Sequence, residues 1–122
     1  MTSYHFTCVH SAARIEVNNV LRIWPQKVLG NIPLIWLTPS RSALGAWLGM
    51  APERQTIVTC NRMEVCYRVI EEDEHLIGWW GDLKRDPRFE QLLPAARRLD
   101  GARGAKPGLW QVSAVDLRVE RV

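Results

Sequence analysis

Short apolar runs mark the start and the middle of the chain. Residues 3–9 alternate in character, which predicts a strand with His5 and Thr7 on one face. The run 34–38, LIWLT, is nearly all apolar and rich in strand-forming residues, so it predicts a buried central strand. A strand face that carries a histidine and a hydroxyl is either exposed to solvent or lines a binding site.

Further segments carry the alternation of strands. Residues 20–25 predict a short extended piece that ends at its final proline. Residues 55–60 and 64–70 predict two strands joined by a three-residue connection. The terminal stretch 109–122 predicts one strand, or two strands bent near Ser113.

Helical spacing is confined to shorter stretches. Ser11 is a plausible N-cap for a short helix over 12–17, and residues 42–50 carry a short apolar helical stripe. Residues 86–101 predict a longer helix that is broken or kinked at Pro94, because proline cannot continue the helical hydrogen bonds.

These elements define the expected fold. Strands occur early, centrally and last, without a regular strand–helix alternation and without a G-x-G-x-x-G loop, which argues against a doubly wound nucleotide fold. The order favours an α+β fold with a mostly antiparallel, curved or split sheet and short helices. A length of 122 residues fits a single domain, 1–122.

Composition narrows the setting. Cys8, Cys60 and Cys66 are odd in number and lack C-x-x-C spacing, which predicts no disulfide framework, no metal and a reducing, cytoplasmic location. Cys8 with His10, or Cys60 with Cys66, could hold zinc in principle, but a free cysteine more often packs as a small apolar residue. No run approaches the roughly 18 apolar residues of a membrane span. The first residues lack a signal-peptide pattern, so we expect no membrane partner.

Charge is concentrated in one segment. Residues 82–106 hold seven basic and four acidic side chains, an excess equal to the formal net charge of +3. Such a segment can meet nucleic acid, a nucleotide or an acidic protein, although a solvated helix face is more common. Arg97 and Arg98 would lie on that surface, with Trp79 and Trp80 as aromatic anchors.

Two predicted strands carry similar polar marks. His5 and Thr7 share a face of the first strand, and Trp36 and Thr38 share a face of the central one. If the strands are neighbours, these four side chains line one cleft. The histidine could bond a ribose hydroxyl or act as an acid or base, and the indole could stack on a planar base. A cation for a phosphate would come from Arg62 or Arg68, whose simpler role is a cross-strand ion pair.

The pattern resembles the small ADP-ribosyltransferase-like families, which include the DNA-targeting ADP-ribosyltransferases and the tRNA phosphotransferases. The matching segments are the YH-x-T strand at 4–7, the turn between 15 and 21, the LIWLT strand at 34–38 and the terminal strands at 109–122. In those families the first-strand histidine holds the ribose and amide end of NAD. The resemblance therefore implies NAD as cofactor and assigns that role to His5.

A second likeness covers more of the chain. The sequence also resembles uncharacterised small proteins of actinobacteria and their phages, which share YHFTC, WLT and a WWVS-like closing strand. The matching segments here are 4–8, 36–38, 59–62, 67–69 and 110–113. This likeness implies a phage-type protein but no particular activity.

One departure from the first family concerns the chemistry. Many of its members carry a glutamate in the late strand that bonds the ribose and stabilises the developing cationic sugar. The equivalent phrase here is LWQV, residues 109–112, where Leu109 or Gln111 replaces the acid. Gln111 can bind a ligand but supplies no negative charge. The resemblance thus implies an ADP-ribosyl or phosphoryl transferase site at His5 and Gln111 whose chemistry is reduced or lost.

Three hypotheses follow for the function. The first is a transferase, and the second is a cleft that binds a nucleotide or another small molecule without turning it over. The third is a small phage-type protein that acts by contact with a host protein or nucleic acid through the basic segment 82–106. Among these, the sequence favours an ADP-ribosyltransferase-like domain in which nucleotide binding outweighs transfer.

Overall fold

Two groups of antiparallel strands form the framework of the protein in a computed structural model, which describes residues 2–26, 30–41, 64–70, 76–101 and 106–122. The strands within these residues are β1 Tyr4–Thr7, β2 Val20–Leu21, β3 Trp24–Gln26, β4 Ile32–Leu37, β5 Val65–Val69, β6 Gly78–Trp79, β7 Gln111–Ser113 and β8 Leu117–Arg121. The α-helices are α1 Val9–Ile15, α2 Trp80–Arg85 and α3 Leu93–Asp100. Short 3₁₀ segments cover Pro87–Leu92 and Pro107–Leu109.

The strands are arranged as a split sheet. One sheet has the order β1-β5-β8-β2 and the other has the order β3-β4-β7-β6, with neighbours antiparallel in both. Among the described residues, a β-bridge between Tyr4 and Thr38 joins the sheets, and each backbone N–H donates to the other residue's carbonyl at 2.8 and 2.9 Å. The predicted α+β fold with an antiparallel, split sheet is confirmed.

The chain passes between the two sheets at two connections that lie side by side. Residues 22–23 lead from β2 to β3, and residues 114–116 lead from β7 to β8. Asp116 joins these connections, because one carboxylate oxygen accepts the backbone N–H of Ile23 at 2.8 Å and the other lies 3.5 Å from Arg22. This contact fixes the edge strands β2 and β3 relative to the β7–β8 bend.

Each sheet packs its own apolar cluster. The first cluster contains Ala12, Leu21, Ile35, Leu37, Val65, Tyr67, Leu117 and Val119. The second contains Leu34, Trp36, Trp80, Leu92, Ala96, Trp110 and Val112. Strand β4 supplies alternate residues to both clusters because it is covered on both faces, which is why the apolar run 34–38 lacks polar alternation.

Several expected elements are confirmed. The first strand and the buried central strand are present as β1 and β4, and residues 64–70 contain β5. The terminal stretch divides after Ser113 into β7 and β8, which belong to different sheets. The predicted helix over 86–101 is α-helical only from Leu93, where α3 starts with Pro94 in its first turn; Pro87–Leu92 is 3₁₀, with non-helical backbone at Phe89.

Two local expectations are wrong. Helix α1 begins at Val9 with Cys8 as its N-cap residue, so Ser11 lies inside the helix rather than at its start. Pro25 does not end an extended piece but lies within β3, which is an edge strand and therefore tolerates a residue without an N–H. The expected helix at 42–50 and the expected strand at 55–60 lie outside the described residues. Within the described ranges, no helix combines the length and the apolar character that a bilayer crossing requires.

Candidate functional site

A cavity of about 460 Å³ lies where the two sheets separate. Its walls come from β1 and β2 of one sheet, from β3 and β4 of the other, and from α1. The described residues that line it are His5, Thr7, Ser11, Arg14, Ile15, Val20, Leu21, Arg22, Trp24, Leu34, Ile35 and Trp36. The volume is in the range of small-molecule sites, and the lining combines an apolar floor with a few polar groups.

The split between β1 and β4 explains why His5 reaches this cavity. Pairing of the two strands stops at Tyr4, so the next residue of β1 meets β4 through its side chain instead of its backbone. The ring Nδ1 of His5 lies 2.8 Å from the main-chain oxygen of Trp36. A carbonyl only accepts, so Nδ1 carries the proton, and the neutral ring keeps Nε2 as an acceptor.

Electrostatics favour the neutral form of His5. Burial lowers the pKa of the imidazole below its ordinary value, and the hydrogen bond to the Trp36 carbonyl opposes this only in part. The ring is therefore neutral near pH 7, with a fixed tautomer. In that state Nε2 can accept a hydrogen bond from a hydroxyl or an amide of a ligand.

Thr7 and Ser11 add hydroxyl groups to the same wall. Thr7 lies two residues after His5 on the same strand face and is 8% exposed. Ser11 follows in α1, where its Oγ lies 3.7 Å from the Cys8 thiol and accepts a hydrogen bond from Arg14 at 3.4 Å. The polar wall thus runs from β1 into α1.

Two cations and an exposed indole complete the described lining. Arg14 is exposed on α1, and Arg22 is 66% exposed beside Asp116. Trp24 is 67% exposed on the edge strand β3, although large aromatic residues usually bury most of their surface. None of the described lining residues carries a carboxylate. The site therefore favours a ligand with negative charge and a planar group.

Trp36 does not provide the stacking surface that the sequence suggests. It lines the cavity, but its side chain is 8% exposed and packs in the second apolar cluster. Its ring centre lies 4.9 Å from that of Trp80 and 5.7 Å from that of Trp110. Within the described lining, Trp24 is the tryptophan whose ring is exposed enough to stack on a ligand.

Thr38 and Gln111 lie outside this cavity. Thr38 is fully buried at the bridge to Tyr4, and its Oγ1 accepts the backbone N–H of Ser40 at 3.1 Å, which shapes the turn after β4. Gln111 is 5% exposed on β7, and its Oε1 accepts a hydrogen bond from the Ser3 hydroxyl at 2.7 Å. The structure thus brings His5, Thr7 and Trp36 to one cavity but not Thr38 or Gln111.

The sequence predicts that Arg62 or Arg68 binds a phosphate, but Arg68 does not line this cavity. Arg68 pairs with Tyr4 across the β1–β5 ladder, so it projects from the sheet face opposite to His5. There it forms an ion pair with its cross-strand partner Glu120 beside a second cavity of about 230 Å³. Arg62 lies outside the described residues.

Only part of the predicted interaction surface on the basic segment is exposed to solvent. Trp80 is fully buried, and its Nε1–H donates to Asp100 at 2.8 Å, so Trp80 cannot anchor a partner. Trp79 is partly buried in β6. Arg97 and Arg98 are exposed in the last turn of α3 and form no ion pair with another described residue.

Sequence reasoning missed Arg14, Arg22 and Trp24 as site residues. Arg14 reaches the cavity because α1 follows β1 directly and packs Ala12 in the first apolar cluster, and Arg22 and Trp24 reach it because the chain changes sheets between them. A local signal existed for Trp24 alone, since the following Pro25 marks an edge strand, where a side chain can stay exposed.

Metal ligands do not gather in the part of the chain that the structure describes. No group of three His, Cys, Asp or Glu side chains is close enough to hold an ion there. Cys8 and Cys66 form no disulfide, whereas Cys60 lies outside the described ranges. The absence of a bound metal stays a prediction.

Comparison of the chain with known proteins identifies no relative. No protein-family model, no curated protein and no solved structure matches the chain.

Proposed function

We propose that the protein is an ADP-ribosyltransferase-like domain that binds an NAD-type nucleotide in the cavity between its two sheets. The observation that carries the proposal is the shared position of His5, Thr7 and the exposed Trp24 in one cavity of about 460 Å³. The neutral imidazole offers an acceptor to a ribose hydroxyl or a carboxamide, and the indole offers a face to a planar base. The YH-x-T strand of the resembling families supplies the same histidine.

Turnover in this proposal is reduced or absent. The described lining contains no carboxylate, so no side chain there supplies the negative charge that stabilises a cationic sugar as the glycosidic bond breaks. Gln111, which takes the position of the family's glutamate by resemblance, is bonded to Ser3 outside the cavity. Binding is therefore the function that these residues support best.

A fluorescence titration tests the proposal. NAD is added to the native protein and to Trp24→Phe, and tryptophan emission is followed to millimolar NAD. We expect the native protein to respond in a saturable way, and Trp24→Phe to lose most of the signal because the exposed indole is the reporter. His5→Asn keeps a donor for the Trp36 carbonyl but lacks Nε2, so it should bind NAD roughly tenfold more weakly without unfolding.

The outcome that overturns the proposal is equally specific. If NAD leaves the emission unchanged and calorimetry detects no heat of binding, the cavity holds no NAD-type nucleotide. Equal binding by the native protein and His5→Asn would remove His5 from the site.

A second candidate function is contact with a nucleic acid or an acidic partner through the basic segment 82–106. The observation that favours it is the exposure of Arg97 and Arg98 without an ion pair among the described residues. Loss of Trp80 as an anchor weakens it, because a buried indole contributes no binding surface. This candidate ranks second.

A further inference from the structure

The family resemblance assigns no role to the two arginines that line the cavity. Arg14 lies on α1 and Arg22 lies on the connection from β2 to β3. Two separate elements therefore each place one positive charge at the cavity. Neither residue is needed by the apolar clusters. Arg22 also contacts Asp116, but that contact does not account for Arg14, which lies beside the same polar wall of His5 and Thr7.

The charges of the two arginines are unevenly compensated. Arg14 donates to the neutral Ser11 hydroxyl and forms no ion pair with another described residue. Arg22 lies 3.5 Å from Asp116 through one guanidinium nitrogen. A guanidinium has five N–H donors, more than one carboxylate contact uses, and its fork suits phosphate oxygens. The described lining therefore carries an excess of positive charge.

From this arrangement we propose that Arg14 and Arg22 bind the phosphate groups of the ligand, so that the cavity selects a phosphorylated nucleotide over the corresponding nucleoside. This inference rests on the proposed function and names the ligand class and the residues that select it. The base stacks on Trp24, which begins β3 two residues after Arg22. Two cations suit a diphosphate better than a monophosphate, since each can neutralise one phosphate group.

Calorimetry with a ligand series tests the selection. The series is adenosine, AMP, ADP, NAD and inorganic pyrophosphate, each titrated into the native protein at two salt concentrations. We expect ADP and NAD to bind at least tenfold more tightly than adenosine, with AMP between them. Affinity for the phosphorylated ligands, but not for adenosine, should fall as salt rises, because the arginines are exposed and screened.

Variants assign the effect to the two residues. Arg14→Ala and Arg22→Ala should each weaken ADP binding by roughly tenfold and leave adenosine unchanged. Arg121→Ala is the matched control, because Arg121 is 56% exposed, carries the same charge and lies outside both the cavity lining and the basic segment. It should bind every ligand as the native protein does.

The outcomes separate the two proposals. Equal affinity for adenosine and ADP, or an unchanged ADP affinity in the Arg14→Ala, Arg22→Ala double variant, overturns the phosphate selection while nucleotide binding survives. Pyrophosphate binding that the double variant abolishes, with no binding of NAD, supports the anion site and overturns the nucleotide proposal. No binding of any member of the series overturns both.

Discussion

The imidazole Nδ1 of His5 lies 2.8 Å from the main-chain oxygen of Trp36, at the point where β1 and β4 part. This hydrogen bond replaces the backbone pairing that the two strands give up after Tyr4. It also fixes the ring as the Nδ1–H tautomer and leaves Nε2 as an acceptor. One contact thus connects the split of the sheet to the chemistry of the cavity.

The lowered pKa of His5 predicts a pH-dependent stability. Below the ordinary histidine value of 6.5 the unfolded chain binds a proton at His5 that the folded protein refuses. The contribution of His5 to the free energy of unfolding is therefore full above that pH and is lost as the pH falls towards the lowered pKa. Urea unfolding between about pH 5 and pH 8 should show stability rising with pH.

His5→Asn should flatten this dependence, because asparagine keeps a donor for Trp36 but does not titrate. His10→Asn is the control, since His10 is exposed and lies outside the cavity lining, and it should keep the slope of the native protein. Identical slopes for the native protein and His5→Asn would contradict the assignment.

Asp100 should stabilise the tryptophan cluster through its oxygen rather than through its charge. Its Oδ1 accepts the Nε1–H of the fully buried Trp80 at 2.8 Å, while its Oδ2 forms an ion pair with Lys84. Asp100→Ala leaves the buried donor without this acceptor and should lower the free energy of unfolding by about 1–3 kcal/mol. Asp100→Asn keeps an acceptor and should cost less than about 1 kcal/mol. Equal losses in denaturant unfolding would show that the ion pair dominates.

Gln111→Glu should not create a transferase. Gln111 is 5% exposed, does not line the cavity and is held by a hydrogen bond from Ser3, so we expect a carboxylate at this position to stay out of the cavity. We expect NAD hydrolysis to stay at the native rate and stability to fall by roughly 1–3 kcal/mol, because a charge replaces a neutral amide in a buried position. A clear gain of NAD hydrolysis in a sensitive product assay would place Gln111 in the site after all.

The basic segment predicts salt-dependent binding only if it is an interface. In that case Arg97→Ala with Arg98→Ala should weaken nucleic-acid binding and reduce its salt dependence. Arg68→Ala with Arg118→Ala removes the same charge from exposed strand positions and is the control. Equal effects of the two double variants in filter binding would indicate net charge alone, and no effect of either would identify a solvated face.

Local patterns explain which parts of the fold could be predicted. The alternation in β1 placed His5 and Thr7 on one face, and the unbroken apolar run of β4 indicated a strand covered on both sides. Both features depend on a few neighbouring residues. The bend after Ser113 was also visible, because the apolar alternation resumes only at Leu117.

The cavity required long-range information. Which tryptophan stays exposed depends on sheet position, and Trp24 and Trp36 differ because β3 is an edge strand and β4 a central one. Sequence spacing does not show that α1 and the β2–β3 connection meet beside β1, so Arg14 and Arg22 could not be assigned from the chain alone.

Nitrogen-15 NMR of the His5 ring reports both its tautomer and its contact with NAD. In the free protein we expect a protonated Nδ1 and an unprotonated Nε2, read from long-range couplings to the ring protons. Addition of NAD should shift the Nε2 resonance of His5 in a saturable way and leave that of His10 in place. An Nε2-protonated ring in the free protein would contradict the Nδ1–H tautomer, and a His5 spectrum that millimolar NAD does not change would contradict NAD binding beside His5.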